Sequence, residues 1–256
     1  MVGVAILVII ILSHFINMKA KILLMISACT LSACAYYPRI PKSVKKSFTY
    51  CYDNKYTGID TLINTNGYYK EMILIKKSPT IGGFLKDTSI YYIDTSYNHF
   101  MFYNNGMFVY NIHNAYYDDR KKTVIKKDIL SLMKIFSQNS EAPGANYFYG
   151  NNWGRYIICE DTIKVQQIHK GQSLNDSWHL SEKWYKIIDK NTILCINLIN
   201  LPTSFHPQSI KRIQYPIVFV PIPAKPKPNK SWILKEKWFW CNEEDWKTHV
   251  ESLEKK

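Results

Sequence analysis

Phe100-Met101-Phe102-Tyr103-Asn104-Asn105-Gly106-Met107-Phe108-Val109-Tyr110 sets an Asn-Gly pair between two aromatic-rich apolar runs. Asn and Gly tolerate positive φ at little cost, so the stretch carries the signature of a type I′ hairpin. With Asn105 and Gly106 as the central pair, Tyr103 faces Phe108 and Met101 faces Tyr110, while Phe102 and Val109 fill the other side. Both sides are apolar. The hairpin is therefore either covered on both sides or lines an apolar cavity.

Two further hairpins follow along the chain. A turn at Glu160-Asp161 sets Ile158 opposite Ile163 and Tyr156 opposite Val165. Arg155, Ile157, Cys159, Thr162, Lys164 and Gln166 fall on the other side, the in/out alternation of a sheet with one wet face. A turn at Asp189-Lys190-Asn191-Thr192 places Ile187 opposite Leu194 and Tyr185 opposite Ile196, with Leu198 extending that apolar face. Upstream, Tyr68 to Ile75 reads as a strand ending at the Ser78-Pro79 turn, with another strand from near Ile90. The chain is thus expected to be mainly β, an antiparallel meander closing into a barrel or half-barrel, because closure removes exposed edges. A two-sheet sandwich is the alternative.

Elsewhere the pattern changes. Val124, Ile125, Ile129, Leu132, Met133 and Phe136 recur at helical spacing and predict one amphipathic helix over 121–138, ending before Pro143-Gly144. Asn242 caps a second predicted helix over 242–254, with Glu243, Glu244 and Asp245 in its first turn. Pro216, Pro221, Pro223, Pro226 and Pro228 mark an edge strand and then an extended polyproline-like linker near 221–230. Residues 35–48 are basic, proline-punctuated and without period, and read as a tether.

The phrases Gly154-Arg155-Tyr156 through Glu160-Asp161-Thr162-Ile163, and Trp184-Tyr185-Lys186-Ile187-Ile188-Asp189 through Thr192-Ile193, resemble small lipocalin-like lipoproteins of Gram-negative gut bacteria. The resemblance covers residues 98–200. It implies an antiparallel barrel or half-barrel with an apolar interior, and no catalytic motif that carries over.

The N-terminus gives an address. Met18-Lys19-Ala20-Lys21 is a charged n-region, the dozen mostly apolar residues after it form an h-region, and Leu31-Ser32-Ala33-Cys34 supplies small residues at a cut. The apolar run is too short to span a hydrocarbon core that needs roughly 20 residues. Leu31-Ser32-Ala33-Cys34 resembles the lipobox of bacterial lipoproteins, in which the cysteine is acylated and becomes the mature N-terminus. Residues 1–33 are then a cleaved signal region whose true start is Met18, 34–48 the lipidated N-terminus and tether, and 49–256 one β-rich domain. Residues 1–17 fit no part of such a signal. A signal anchor built from both apolar runs would strand Lys19 and Lys21 in the membrane at roughly 3 kcal/mol each. Cys34 is followed by Ala35-Tyr36-Tyr37-Pro38, without an aspartate. By resemblance to known sorting rules the missing aspartate implies the outer membrane, and the lack of a nearby acidic cluster implies its periplasmic leaflet.

Of the 33 basic residues only Lys19 and Lys21 precede the cut, so the mature chain keeps an excess of about 11 positive charges. They are spread through the chain without a stripe or binding motif, which argues against a nucleic-acid partner and for a basic surface facing envelope components. Cys51, Cys159, Cys195 and Cys241 remain after cleavage and acylation of Cys34; they allow three pairings, and free thiols are as compatible with the sequence as bridges.

The chain carries no Walker loop, Rossmann glycine pattern, GxSxG elbow or HExxH. It therefore reads as a non-enzyme without cofactor. No metal site is expected: His99 and His113 face each other only if the Asn-Gly loop has three residues, Asp118-Asp119-Arg120 reads as a solvated loop, and Glu160-Asp161 as turn chemistry. Trp153, Trp178, Trp184, Trp232, Trp238, Trp240 and Trp246 suit either core packing or stacking on sugar rings, and packing is the commoner use. What remains is a membrane-anchored envelope lipoprotein that binds a small apolar or amphipathic ligand, or a structural lipoprotein with a filled core.

Overall fold

A computed structural model describes residues 40–77, 80–81, 84–85, 92–110, 112, 115–118, 123–150, 152–170, 178–201 and 215–255. Short helices at Lys42–Ser47 and Ile59–Leu62 precede twelve strands: β1 (Gly67–Lys77), β2 (Thr80–Ile81), β3 (Phe84–Leu85), β4 (Tyr92–Phe102), β5 (Met107–Tyr110), β6 (Ala115–Asp118), β7 (Thr123–Lys126), β8 (Asn152–Cys159), β9 (Thr162–Lys170), β10 (Trp178–Asp189), β11 (Thr192–Leu201) and β12 (Ile217–Pro221). Eight of them close an antiparallel barrel in the order β1-β12-β11-β10-β9-β8-β5-β4, with β4 returning to β1. Apart from the small β2–β3 and β6–β7 sheets, each strand pairs with the next in the chain, an up-and-down meander consistent with a lipocalin-like barrel. The expected fold class holds.

The two ends of the barrel differ. At one, tight turns at 103–106, 160–161 and 190–191 join the strands; at the other β1 ends at Lys77, β4 begins at Tyr92, β9 ends at Lys170 and β10 begins at Trp178. The tight-turn end is closed by the helix Ile59–Leu62. Ile59 and Ile63 are fully buried against Tyr69, Phe100, Phe102, Phe108, Tyr156 and Tyr185. Asn64 N–H donates to Lys190 O and Thr57 N–H to Asn104 O, which fastens this plug to two of the turns. The rings form a continuous floor: Phe100 stacks on Tyr185 with centroids 5.3 Å apart, and Phe102 meets Tyr156 edge-on at 5.4 Å. Each such pair contributes about 1 kcal/mol beyond area burial.

The Glu160-Asp161 hairpin has the expected register, Ile158 opposite Ile163 and Tyr156 opposite Val165. The Asn-Gly hairpin does not. Met101 pairs with Val109 and Phe102 with Phe108, because Asn104, Asn105 and Gly106 form a three-residue loop closed by Tyr103 N–H to Met107 O. Gly106 alone takes positive φ, +86°, the left-handed residue that ends such a loop. A Cβ there would lie 2.1 Å from Arg155 Nη1, the nitrogen that donates to Asn105 O. The shift gathers Phe100, Phe102, Phe108 and Tyr110 on the lumenal side and turns Met101, Tyr103, Met107 and Val109 outwards. Both sides are buried, since Tyr103 stacks outside on Trp153, which in turn meets Phe148.

The third hairpin keeps Asp189 opposite Thr192, but register shifts move Ile187 opposite Ile193 and Tyr185 opposite Cys195; beyond a second irregularity Lys183 faces Leu198. One extra residue reverses which side chains look inward, so Ile193 and Cys195, rather than Leu194 and Ile196, face the lumen.

The predicted helix over 121–138 splits. Thr123–Lys126, carrying β-branched Val124 and Ile125, pairs with Ala115–Asp118 as strand, and the helix runs Ile129–Gln138 from an Asp128 cap whose carboxylate accepts from Ser131 N–H. The C-terminal helix Glu243–Glu254 stands as expected, capped by Asn242. β12 is no edge strand, for it pairs with β1 and with β11. Nor is 221–230 a free linker: Ile222 and Pro226 are buried, and the chain continues through 3₁₀ turns at Pro228–Lys230, Trp232–Lys235 and Lys237–Phe239. The tether ends earlier than expected, since Lys42–Ser47 is helical and Val44 and Phe48 are buried.

Candidate functional site

Above the aromatic floor the lumen becomes polar. Inward positions of β1 and β4 place Glu71 opposite Asn98, and inward positions of β9 and β10 place Lys183 beside Val165, Ser181 opposite Gln167, and His169 opposite His179. Lys183 reaches across the lumen. Its Nζ lies 3.8 Å from Glu71 Oε2 and 3.6 Å from the centre of the Tyr110 ring. Tyr110 donates to the same Glu71 oxygen at 2.8 Å, and Asn98 Nδ2 donates to it at 3.3 Å while also touching Tyr110 OH. This carboxylate is the hub of the layer.

Burial dominates the electrostatics. It lowers the Lys183 pKa, against the opposing pull of Glu71, and it raises those of Tyr110 and Tyr185 well above the tyrosine range. The Cys195 thiol is pushed up to about 11 by desolvation, partly countered by Lys183, and so stays protonated at neutral pH. It is a packing thiol, not a nucleophile. His169 is lowered by burial first, then by His179 and Lys183; the two imidazoles face each other with centroids 5.6 Å apart.

The polar wall is incompletely satisfied. Among the described residues eight buried side-chain atoms lack a hydrogen-bond partner; four of them, Tyr185 OH, Ser181 Oγ, Gln167 Oε1 and His169 Nδ1, belong to the adjacent strands β9 and β10, and Asn197 Oδ1 to the next strand, β11. An unpaired buried polar atom costs on the order of 1–3 kcal/mol, so a run of them on one wall marks a place where a small polar group or ordered water completes the bonding. Each orphan on this wall is a hydroxyl, amide oxygen or imidazole nitrogen, not a group activated for covalent chemistry.

The sequence-predicted candidates fare variously. Cys34, His113, Asp119 and Arg120 lie outside the described residues. His99 is lowered by burial and packs edge-on against Tyr68. Glu160 and Asp161 form the hairpin turn. No cluster of three or more metal-ligating side chains occurs among the described residues. The tryptophans serve packing: indole N–H groups of Trp153, Trp184, Trp238, Trp240 and Trp246 donate to Phe148 O, Glu182, Glu236, Leu234 O and Lys235 O, and Lys164 covers the Trp184 ring. Trp238 and Trp240 flank buried Phe239.

Sequence reasoning missed the lumenal polar layer. Its signal lay in carrying the alternation of β10 back from Tyr185, which sets Lys183 and Ser181 on the same side. The cysteines resolve as well: Cys51 and Cys241 form a disulfide, while Cys159 and Cys195 are free. Among the described residues no helix is long and apolar enough to cross a membrane. No protein-family model, curated protein or solved structure matches this chain.

Proposed function

We propose that this chain is a lipid-anchored envelope protein, acylated on Cys34 and held at the periplasmic face of the outer membrane, whose barrel binds a small amphipathic ligand in its lumen. The observation that carries the binding half is the wall of buried, unpartnered polar atoms on β9 and β10 above an aromatic floor. Apolar surroundings with a few convergent polar groups are what small-molecule sites offer. The address rests on the lipobox-like Leu31-Ser32-Ala33-Cys34, and the Cys51–Cys241 disulfide supports it, because such bonds persist in oxidising compartments. No role as an enzyme is assigned.

Residues from Pro41 onwards belong to the barrel's own compact unit, so the tether after Cys34 is short. Fully extended, it reaches roughly 20 Å. The barrel is then held close to the headgroups, where an amphipathic molecule leaving the bilayer would meet it.

Native mass spectrometry of the protein extracted from membranes tests both halves. The expected result is a chain beginning at an acylated Cys34, accompanied by a small-molecule adduct that is lost on denaturation. Cys34→Ala is expected to leave the membrane fraction with its fold intact. An unprocessed, unacylated chain would overturn the address, and an adduct-free barrel that takes up no amphiphile would overturn the binding.

The filled floor favours a second reading, a structural protein with no ligand. Thermal melting with and without added amphiphile separates the two: a melting temperature that rises with ligand concentration supports binding, and an unmoved one supports the structural reading.

A further inference from the structure

We infer that the lumen grips its ligand by an anionic group, a carboxylate, seated on β9 and β10 beside Lys183. This deepens the binding reading above and rests on it.

Donors on β10 are left without an acceptor. Lys183 carries three N–H donors, yet its carboxylate neighbour among the described residues, Glu71, stands at 3.8 Å, too long for a good hydrogen bond, and another close contact is the face of Tyr110. Glu71 meanwhile accepts from Tyr110 and Asn98, so its charge is spent on that side of the lumen. The hydroxyls of Ser181 and Tyr185, buried and without partners, each have a proton to give. His169 faces His179 and has an unsatisfied Nδ1 within the same wall. Gln167 Oε1 is an acceptor as placed, but turning its amide presents Nε2 to the same point.

The Ser181 and Tyr185 hydroxyls thus flank Lys183 on β10, with one acidic residue, Glu71, already engaged across the lumen. A carboxylate supplies two oxygens to take these donors, and charge-assisted hydrogen bonds of this kind are the stronger class. A neutral hydroxyl would satisfy one or two of them and leave Lys183 poorly matched. An ammonium would be repelled by Lys183.

Calorimetric titration of the full mature chain with sodium decanoate, decan-1-ol and decylamine tests the inference. Decanoate is expected to bind at least roughly tenfold more tightly than decanol, the scale of one hydrogen bond to a charge, with decylamine weakest. In the charge-neutral pair Glu71→Gln/Lys183→Met the advantage of decanoate over decanol is expected to collapse below about twofold. Ser181→Ala, a smaller change at a site with no partner to lose, is expected to narrow it without disturbing the fold. Equal affinity for decanoate and decanol, or a preference for decylamine, overturns the anion while leaving the lumenal site standing. Failure of all three to bind the folded wild-type chain overturns the site as well.

Discussion

Tyr52 and Trp240 are bridged in parallel, Tyr52 N–H donating to Phe239 O at 2.8 Å and Cys241 N–H to Tyr52 O at 2.9 Å. The segment before the barrel and the segment after it are thereby laid side by side, with Cys51 and Cys241 joined next to the bridge across 190 residues of sequence. Tyr52 also stacks on Phe239 at 5.4 Å, so the clasp has a buried apolar centre.

A covalent link across so long a loop restricts the unfolded chain strongly. The double substitution Cys51→Ser/Cys241→Ser is expected to lower the free energy of unfolding by about 2–5 kcal/mol. Urea titration of oxidised wild type, reduced wild type and the variant checks this; coincident midpoints for all three would show the clasp to be irrelevant to stability.

Beside the clasp, Arg155 Nη2 lies 3.0 Å from Asp53 Oδ1, while Nη1 donates to Asn105 O. One guanidinium therefore ties the entering segment to the outer wall and to the Asn-Gly loop. The Asp53 pKa is lowered: burial works the other way, but the Lys55 backbone N–H and the Arg155 charge outweigh it. A carboxylate depressed in the folded state contributes stability above its unfolded pKa of about 4, which is lost as pH falls through the folded value. Arg155→Met should cost about 1–3 kcal/mol at pH 7 and flatten the loss of stability below pH 4. Arg155→Lys should recover little, because lysine has no fork to hold two acceptors. Melting temperatures of the three proteins between pH 3 and 7 decide the matter.

Gly154 sits where β8 crosses closest to β9. A Cβ at this position would stand 2.0 Å from the Gln166 carbonyl oxygen and 2.8 Å from the Gln167 Cα, and neither main-chain atom can swing aside. Gly154→Ala is expected to destabilise by about 2–3 kcal/mol. Gly58→Ala meets open space, so its cost is only the strain of an alanine at φ +74°, about 1 kcal/mol, and it serves as the comparison for loss of a glycine without crowding. Equal denaturation midpoints for the two variants would contradict a crowded crossing.

The up-and-down sheet was legible from three turns and the alternation around them. Tyr156, Ile158, Ile163 and Val165 share one side because a two-residue acidic turn left the alternation unbroken. Registers failed where the chain inserts a residue. At Asn104-Asn105-Gly106 the same letters suit a two-residue or a three-residue loop, and what selects the longer one is Arg155, distant in sequence, which donates to Asn105 O. At Ile187 and Trp184 the irregularities of β10 and β11 carry no local signature. Val124 and Ile125 were misassigned because apolar spacing over a short window suits a helix, whereas the pairing of Thr123–Lys126 with Ala115–Asp118 is a tertiary fact. The polar lumen was hidden for a related reason: a lysine at position 183 looks like solvated surface until closure of the sheet turns it inward.

Lys225 provides a pH-dependent test of the closed end. Its ammonium donates to Thr65 O at 2.7 Å and to Phe102 O, and it lies 4.1 Å from the centre of the Tyr103 ring, with no carboxylate of the described residues in the salt-bridge range. Burial lowers its pKa to about 7, against about 10.4 in an unfolded chain. Between those values the unfolded state holds the proton that the folded state has released, so stability rises with pH across this window. The histidines lowered by burial, His99, His169 and His249, finish titrating by about pH 7.5 in the unfolded chain. Loss of stability from the buried tyrosines begins only near pH 10, where unfolded tyrosine ionises. Melting temperature is therefore expected to climb from pH 7.5 to 9.5 in the wild type and to climb less in Lys225→Met. Any slope that survives the substitution combines Lys183, whose pKa is lowered as well, with the smaller opposing contribution of Cys195, whose thiol ionises near pH 8.5 in the unfolded chain but only at about 11 in the folded one. An identical slope in Lys225→Met would mean that the amine at the closed end remains charged and solvated in the folded protein.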